Sequence, residues 1–555
     1  MSKPKKLRLR RQRAHAAQRQ FFPRVGIIAD GGDQSYGQAE TPGFTSYGAA
    51  APGTAAYAAV QALGAFDIVF ALGGSYEGWQ TGARNKRDLV NAIKGRGTYP
   101  NVKNASRGTY VFPYFIVECS QDAASGLPYQ GFTSLVIAHN WWLYSGTRGS
   151  GEKIATTTSG YYEVNYSIAW GQAIAAAAAD STIVGQNYGT LSNGQGAAQT
   201  AANYAASALL TDHPQDSRFM TLTNGAAPNA DGIFLDNCFC FPNGGAQMAT
   251  AMASWDGVNM QNGKTVSAYP AGAGSLISRG QRHFFNTVQN YLAICEPGSN
   301  YYSIGNFGNY ANTIGYGDIH ARTAGAMDNY FNGGLVEGVA GVSGSGWQTY
   351  MTAADIQKNY AYIMAYCAPP SWWVPKKMGP FQPLVGLGCY LPATNGSGTI
   401  VLRTGGKLVT VEAGSALEYQ MMRCMLCLVL MGTPSGTGYL AVGAPGYNYA
   451  LARWYDEFGD DSLAQVNVKR GYMGNPTSAA VTLSNGVQIR AFDNACALFN
   501  AWGNGLQLIN VEMITAAIGK SCKYLNGTQQ PEINSGEPFL GRALMDGDGL
   551  VLLYD

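Results

Sequence analysis

Four consecutive residues, Gly232 to Leu235, stand directly before a carboxylate and an amide, Asp236 and Asn237. A short apolar run bounded by turn signals predicts a buried strand, and a Gly-rich loop follows it at residues 238–245. Packing accounts for the apolar residues but not for the carboxylate, because burying an unpaired charge is costly. The pattern predicts an active-site acid at the mouth of a parallel barrel; an Asp that only caps the loop is the alternative.

Similar apolar stretches alternate with helical patterns along residues 25–455, which predicts parallel βαβ units. The eight predicted strands are residues 25–30, 66–72, 109–118, 232–235, 302–306, 330–337, 383–390 and 438–442. Eight such units predict an α/β fold, the TIM (β/α)8 barrel. Residues 120–195 interrupt the alternation, and so long a barrel loop is usually functional.

Residues 456–555 show a different pattern, in which short alternating strands are joined by Asn-Gly turns. This pattern predicts an antiparallel meander, to which residues 550–554 pair back as the last strand. The chain is therefore predicted to contain a basic arm (1–24), a barrel with long βα-loop insertions (25–455) and a small antiparallel β domain (456–555).

Charged residues make up only 13% of the chain, whereas Gly and Tyr number 72 and 34. Such a surface suits proteins that handle sugars or pack into larger assemblies. The run from Met421 to Met431 is apolar apart from Arg423 and two Cys, is too short to span a bilayer and predicts a buried helix. The ten cysteines are scattered, which favours free buried thiols over disulfides or a metal site, and no cofactor is predicted.

The first 24 residues carry nine Lys and Arg and no acidic residue, whereas the remainder carries 27 bases and 34 acids. A solvated arm is one interpretation, and docking onto an acidic protein partner or assembly is another; nucleic-acid contact is the least favoured. The arm lacks the apolar core of a secretory signal peptide, so synthesis in the cytoplasm without Sec export is predicted. No membrane insertion is predicted, and oligomerisation is left open.

Three motifs follow one another along the chain: residues 230–237, residues 303–306 and residues 333–338. In these motifs and their order, the chain resembles the hypothetical glycoside hydrolases that have a (β/α)8 barrel, over about residues 25 to 555. Each motif alone is short, so their order and spacing carry the resemblance. The resemblance implies a barrel followed by a small β domain, which either covers the barrel or binds glycans.

Glycoside hydrolysis needs two carboxyl groups that flank the scissile bond. Asp236 and Glu337 end the fourth and sixth predicted strands, so both belong to the same mouth of the barrel. By resemblance to retaining barrel enzymes with acids on these strands, Asp236 is the nucleophile and Glu337 the proton donor. The alternative for Glu337 is a loop residue that only pairs with a base.

Six further residues are candidates for substrate binding. Polar residues at or beside strand ends are expected to hydrogen-bond sugar hydroxyls; these are Asp30, Glu118, Asn237 and Asn306. Trp141 and Trp142, in the loop 120–195, are expected to stack on sugar rings, with a local core under the loop as the alternative.

Two functions are compatible with these features. The first is a glycoside hydrolase that cleaves the O-glycosidic bonds of a polysaccharide with two carboxylates, for example as a virion-borne glycan depolymerase. The second is a non-catalytic structural or glycan-binding subunit of a phage tail or other assembly, which keeps the barrel as a scaffold. The basic arm and the charge-poor surface motivate the second function.

Overall fold

The computed structural model describes a set of separate segments that together hold the barrel strands and most of the C-terminal domain. These are residues 22–28, 61–75, 109–116, 119–121, 160–163, 232–236, 302–306, 333–337, 384–388, 400–404, 407–411, 414–432, 438–443, 454–459, 467–501 and 503–555, with single residues 93, 137, 142, 153 and 155. Among them no helix is long and apolar enough to cross a bilayer.

Nineteen strands and two α-helices are described. In chain order they are β1 (Val25–Ile28), β2 (Ile68–Ser75), β3 (Tyr110–Ile116), β4 (Cys119–Gln121), β5 (Tyr161–Glu163), β6 (Gly232–Asp236), β7 (Tyr302–Asn306), β8 (Gly333–Glu337), β9 (Leu384–Gly388), β10 (Ile400–Thr404), β11 (Lys407–Val411), α1 (Ala416–Gly432), β12 (Gly438–Gly443), β13 (Val481–Thr482), β14 (Gln488–Ala491), β15 (Ala495–Asn500), β16 (Gln507–Ile509), α2 (Val511–Ile518), β17 (Cys522–Tyr524), β18 (Arg542–Leu544) and β19 (Asp548–Tyr554).

Eight of these strands form a closed barrel in the order β1-β12-β9-β8-β7-β6-β3-β2. Every pair of neighbours in it is parallel. Each barrel strand overlaps one of the eight strands predicted from the sequence. Two hairpins stand outside the barrel, β4 with β5 and β10 with β11.

The register around the barrel closes with a stagger of eight residues. When the paired residues are followed from strand to strand through β2, β1, β12 and β9, Tyr110 on β3 corresponds to Glu337 on β8. In the other direction, through β6 and β7, Phe115 corresponds to Gly334. Phe115 lies five residues after Tyr110, and Gly334 lies three residues before Glu337, and these two offsets together give the stagger. Eight strands with this stagger have the strand geometry of a (β/α)8 barrel. The connections between the strands lie mostly outside the described residues, so the (β/α)8 assignment stays a prediction.

Three phenylalanine rings identify the face of the sheet that lines the barrel interior. Phe70 on β2 and Phe234 on β6 have ring centroids 5.9 Å apart, although β3 separates their strands. Side chains on the outer face of a closed barrel diverge, so this contact lies inside. Phe112 stacks on Phe70 at 6.2 Å. A Cβ at Gly26 would lie 2.9 Å from the Phe70 ring, so glycine leaves room for this aromatic core.

The C-terminal domain is built on a five-stranded antiparallel sheet in the order β13-β14-β15-β19-β17. As the meander predicts, β13, β14 and β15 pair in sequence order, and the last strand, β19, pairs back to β15. β16 does not join this sheet and pairs with β18 instead. The buried side chain of Asn500, at the end of β15, donates to Gly505 O at 2.7 Å and to Met545 O at 2.8 Å. These hydrogen bonds turn the chain at this point, and the strand that follows joins a second, two-stranded sheet.

Helix α2 covers one side of this domain, and its ends are set by its sequence. Asn510 precedes the helix, and its side chain accepts a hydrogen bond from Met513 N at 2.9 Å. Gly519 ends the helix in the left-handed region at φ 68°, where glycine has no steric penalty. Ile514 is the buried residue of the helix and joins a core that includes Ile489 and Leu550.

Helix α1 lies between the barrel and the C-terminal sheet, in contact with β12 on one side and β14, β15 and β19 on the other. Residues 421–431 are buried throughout, which confirms the predicted buried helix. Arg490 on β14 donates to the carbonyl oxygens of Leu430 and Met431 at 2.9 and 3.0 Å. Carbonyls in the last turn of a helix lack partners within the helix, so Arg490 caps α1 from the neighbouring domain.

A buried ion pair also joins the two domains. Arg423 of α1 donates to both carboxylate oxygens of Asp548 at 3.0 and 3.1 Å, and to the side chain of Gln530. The side chains of Arg423 and Asp548 are only 4% and 8% exposed. Burial raises the pKa of the Asp548 carboxyl, and the Arg423 guanidinium opposes that rise.

The N-terminal segment enters the fold at the end of the barrel where the strands begin. Phe22 is fully buried and pairs with the C-terminal domain, its N–H donating to Gly474 O and its carbonyl accepting from Met473 N, both at 2.9 Å. Close by, Arg470 forms an ion pair with Asp67, directly before β2. The C-terminal domain therefore covers the amino ends of β1 and β2, the end of the barrel opposite the carboxyl ends of its strands.

Arg24 belongs to the folded part of the chain, although the predicted arm extends to residue 24. Its guanidinium lies 5.3 Å from the ring centroid of Phe22 and 5.7 Å from that of Tyr439. The residue is only 6% exposed. Phe22 and Arg24 therefore belong to the packed structure, because these two side chains and Tyr439 form one cluster.

Candidate active site

Both predicted catalytic acids occupy the last position of a barrel strand. Asp236 ends β6 and Glu337 ends β8. The strand between them, β7, ends at Asn306. Parallel strands all have their carboxyl ends at the same rim of the barrel, so the three positions lie at one mouth.

The register also assigns these positions to a face of the sheet. The pairs Phe234↔Ile304 and Ile304↔Gly333 put all three residues on the interior face, because the Phe234 ring lies inside the barrel. Residues alternate between the two faces of a strand, so positions two or four further along share that face. These positions are Asp236, Asn306 and Glu337.

Small residues neighbour Glu337 on the interior face of the next two strands. Glu337 pairs with Gly388 on β9, and Gly388 pairs with Ala441 on β12. The first of these has no side chain and the second only a methyl group. At these two positions the interior face carries nothing larger than a methyl group, whereas the Phe70, Phe112 and Phe234 rings stand on β2, β3 and β6.

A small hairpin stands beside the same mouth. β4 begins three residues after the end of β3, and Ile116 at that end pairs with Asp236. Trp142 packs edge-on against Tyr162 of the hairpin, with ring centroids 6.0 Å apart, and is only 2% exposed. The indole thus belongs to a local core under the loop, the alternative that the sequence left open, and is not an exposed platform for a sugar ring.

The remaining predicted site residues lie outside the described part of the chain. These are Asp30, Glu118, Trp141 and Asn237. Among the residues that the structure does describe, no group of three or more His, Cys, Asp or Glu is arranged to hold a metal ion. Cys424 and Cys427, buried in α1, and Cys496 and Cys522, buried in the C-terminal sheet, are thiols that form no disulfide.

Comparisons with known proteins add little to this geometry. No family model matches the chain, and no curated protein matches it. Among solved structures, the crystal structure of Ttha1563 from Thermus thermophilus aligns over 97% of this chain and 100% of that chain, with 10% sequence identity and a TM-score of 0.37. A likeness this weak supports no conclusion on fold or function.

Sequence reasoning missed one residue beside the β4–β5 hairpin. The ammonium of Lys153 lies 4.6 Å from the ring centroid of Trp142 and 5.6 Å from that of Tyr162. A single Lys in a Gly/Ser/Thr-rich loop carries no local signal. Its contacts depend on a fold that brings together residues about 10 positions apart.

Proposed function

We propose that this protein is a glycoside hydrolase that cleaves the O-glycosidic bonds of a polysaccharide with Asp236 and Glu337. One observation carries the proposal: both acids end strands of the same closed barrel and share its interior face at one mouth. Strand-end acids at the carboxyl rim are the common source of catalytic groups in parallel barrels.

The spacing of the two strands fits the chemistry. One strand lies between β6 and β8, and neighbouring strands are about 4.8 Å apart, so the two backbones are roughly 10 Å apart. Carboxyl groups about 5–5.5 Å apart act as nucleophile and acid/base, and those about 6.5–9.5 Å apart admit a water between them. Strand-end residues whose backbones are this far apart are compatible with either range.

In this reaction one carboxylic acid gives its proton to the leaving glycosidic oxygen as the bond to the anomeric carbon breaks. The other carboxylate attacks that carbon or takes a proton from the attacking water. By the resemblance, Asp236 takes the second role and Glu337 the first. Asn306 ends β7, the strand between them, and we propose that it hydrogen-bonds a sugar hydroxyl or orients one of the acids.

We propose that the barrel is a (β/α)8 barrel and that its opposite end serves attachment. The basic residues 3–19 precede Phe22 in the sequence, and Phe22 lies beside the amino ends of β1 and β2. A cationic arm at that end suits docking onto an acidic partner in an assembly such as a virion, with the mouth left open to polysaccharide.

Hydrolysis tests the proposed function. The full-length protein is incubated with a panel of polysaccharides, and new reducing ends are measured. Asp236→Asn and Glu337→Gln should each lower the rate about a thousandfold or more, with a nearly unchanged thermal midpoint. Glu512→Gln, an exposed acid on α2, is the matched control and should keep the full rate. Full activity in either strand-end variant would show that the residue is not catalytic.

A further inference from the structure

The two-stranded sheet of β16 and β18 exposes an apolar face to solvent. Leu508 on β16 pairs with Ala543 on β18, so the two side chains share one face of this sheet. The neighbouring pairs bring Ile509 and Leu544 to the other face, where both are buried in the core of the C-terminal domain. Leu508 is 72% exposed. One face of the sheet is therefore packed, and the other has an apolar side chain in solvent.

Two more large apolar side chains extend this exposed face. Continued by one pair, the same register brings Leu506 opposite Met545, on the face of Leu508 and Ala543. Leu506 and Met545 are 58% and 53% exposed. These four residues are called the β16–β18 face below. Single exposed apolar residues are ordinary on a protein surface, whereas a contiguous group of them marks an interaction site.

The β16–β18 face carries no charge. Residues 503–511 and 540–545 contain a single charged residue, Arg542, which pairs with the buried Ile509 and so belongs to the opposite face. The carboxylate of Asp546, the next residue, accepts hydrogen bonds from two backbone N–H groups of the loop before β16. A foreign partner is selected largely by complementary charges, which this face does not offer. Two copies of the face do not repel each other, because neither brings a like charge to the contact.

The alternation of large and small side chains makes the face complementary to itself. Leu508 projects from the sheet, whereas Ala543 beside it leaves a hollow. When two such sheets pack face to face about a two-fold axis parallel to the strands, each β16 lies over the partner's β18. Leu508 then fits over the partner's Ala543, and Leu506 lies over the partner's Met545, with each contact made twice. We propose that this chain forms a homodimer through the β16–β18 face.

The size of the face sets the strength of the dimer. A stable dimer buries about 800 Å² on each partner, and four side chains supply only the apolar centre of such an interface. The uncharged residues beside them, such as Asn504 and Asn510, supply a polar rim. We therefore expect a dimer that dissociates on dilution. An apolar contact persists in added salt, whereas association through the basic residues 3–19 weakens.

Sedimentation velocity of the full-length protein tests the proposal, at concentrations from about 1 to 100 µM and at low and high salt. The wild type should pass from monomer to dimer in this range at both salt concentrations. Leu508→Asp and Ala543→Lys should each raise the dissociation constant at least about tenfold, because a charge is then buried in the contact. Val481→Asp is the matched control, since Val481 is 46% exposed on β13, outside the face, and it should leave the dissociation constant unchanged.

A mixture of the two charged variants tests the two-fold arrangement. In a mixed dimer the introduced carboxylate meets the introduced ammonium at one contact, and the other contact keeps the wild-type Leu508 and Ala543. The mixture should therefore dimerise at concentrations at which each variant alone is monomeric.

Three results would overturn the inference. They are a wild type that stays monomeric up to about 100 µM, a Leu508→Asp variant that associates like wild type at an equal thermal midpoint, and a mixture that stays monomeric. If either charged variant does not fold, Leu508→Ser replaces it and should still raise the dissociation constant. Unchanged association of that variant would equally overturn the inference.

Discussion

At the scale of single residues, the most consequential side chain outside the mouth is Arg423. It is the one charged residue in an otherwise apolar run, and the sequence alone makes it an anomaly in a buried helix. The structure supplies its partner 125 residues away, in the bidentate contact with Asp548. That pairing could not be predicted because nothing local to either residue indicates the other.

Removing one partner of a buried ion pair leaves the other charge uncompensated. Arg423→Met should therefore lower the free energy of unfolding by about 3–5 kcal/mol, measured by urea denaturation. The double variant Arg423→Met/Asp548→Leu should lose less, since neither charge is then buried. A cost below about 1 kcal/mol for the single variant would contradict a buried, paired Arg423.

At the scale of elements, the strands could be predicted well and their partners less well. Short apolar runs with strand-end polar residues were sufficient to locate the eight barrel strands, because each run is bounded by turn residues. The pairing of β16 with β18 depends on the buried Asn500 side chain, and the cap of α1 by Arg490 bridges about 60 residues. Both are long-range contacts between polar groups, which periodicity does not indicate.

The cap of α1 gives a prediction at this scale. Arg490→Met leaves the carbonyls of Leu430 and Met431 buried without their donor, which should cost about 1–3 kcal/mol of unfolding free energy in urea denaturation. Arg542 is the matched control, because it donates to Glu532 O at 2.8 Å on the exposed side of the domain. Arg542→Met should cost about 0.5 kcal/mol or less, and equal costs for the two variants would contradict the capping role.

At the scale of the whole molecule, the barrel has two ends with different surroundings. The carboxyl ends of β6 and β8 carry Asp236 and Glu337, and the amino ends of β1 and β2 are covered by the C-terminal domain and by Phe22. The strand-end acids could be predicted because position along a strand decides which rim a residue occupies. The contacts of Lys153 with Trp142 and Tyr162 could not, because no local pattern in the sequence indicates them.

Because the two ends of the barrel have different surroundings, two changes near the N-terminus should affect different properties, one the binding to an acidic surface and the other the stability. Deleting residues 1–20 should abolish retention on a polyglutamate resin at low salt, with the thermal midpoint and any hydrolysis unchanged. Phe22→Ala should do the reverse, keeping retention but lowering the unfolding free energy by about 3–5 kcal/mol, since Phe22 is fully buried. Loss of hydrolysis in the deletion variant would place the arm at the active site and contradict this division.

The claim that Asp236 and Glu337 act on the same glycosidic bond can be tested without knowing the sugar. The most direct measurement is the separation of the two carboxyl groups in a high-resolution crystal structure. A separation of about 5–5.5 Å is predicted for retention of configuration, and about 6.5–9.5 Å for inversion. Carboxyl groups clearly beyond about 10 Å, or a side chain that fills the mouth between them, would contradict the two-carboxylate mechanism and leave the barrel as a scaffold.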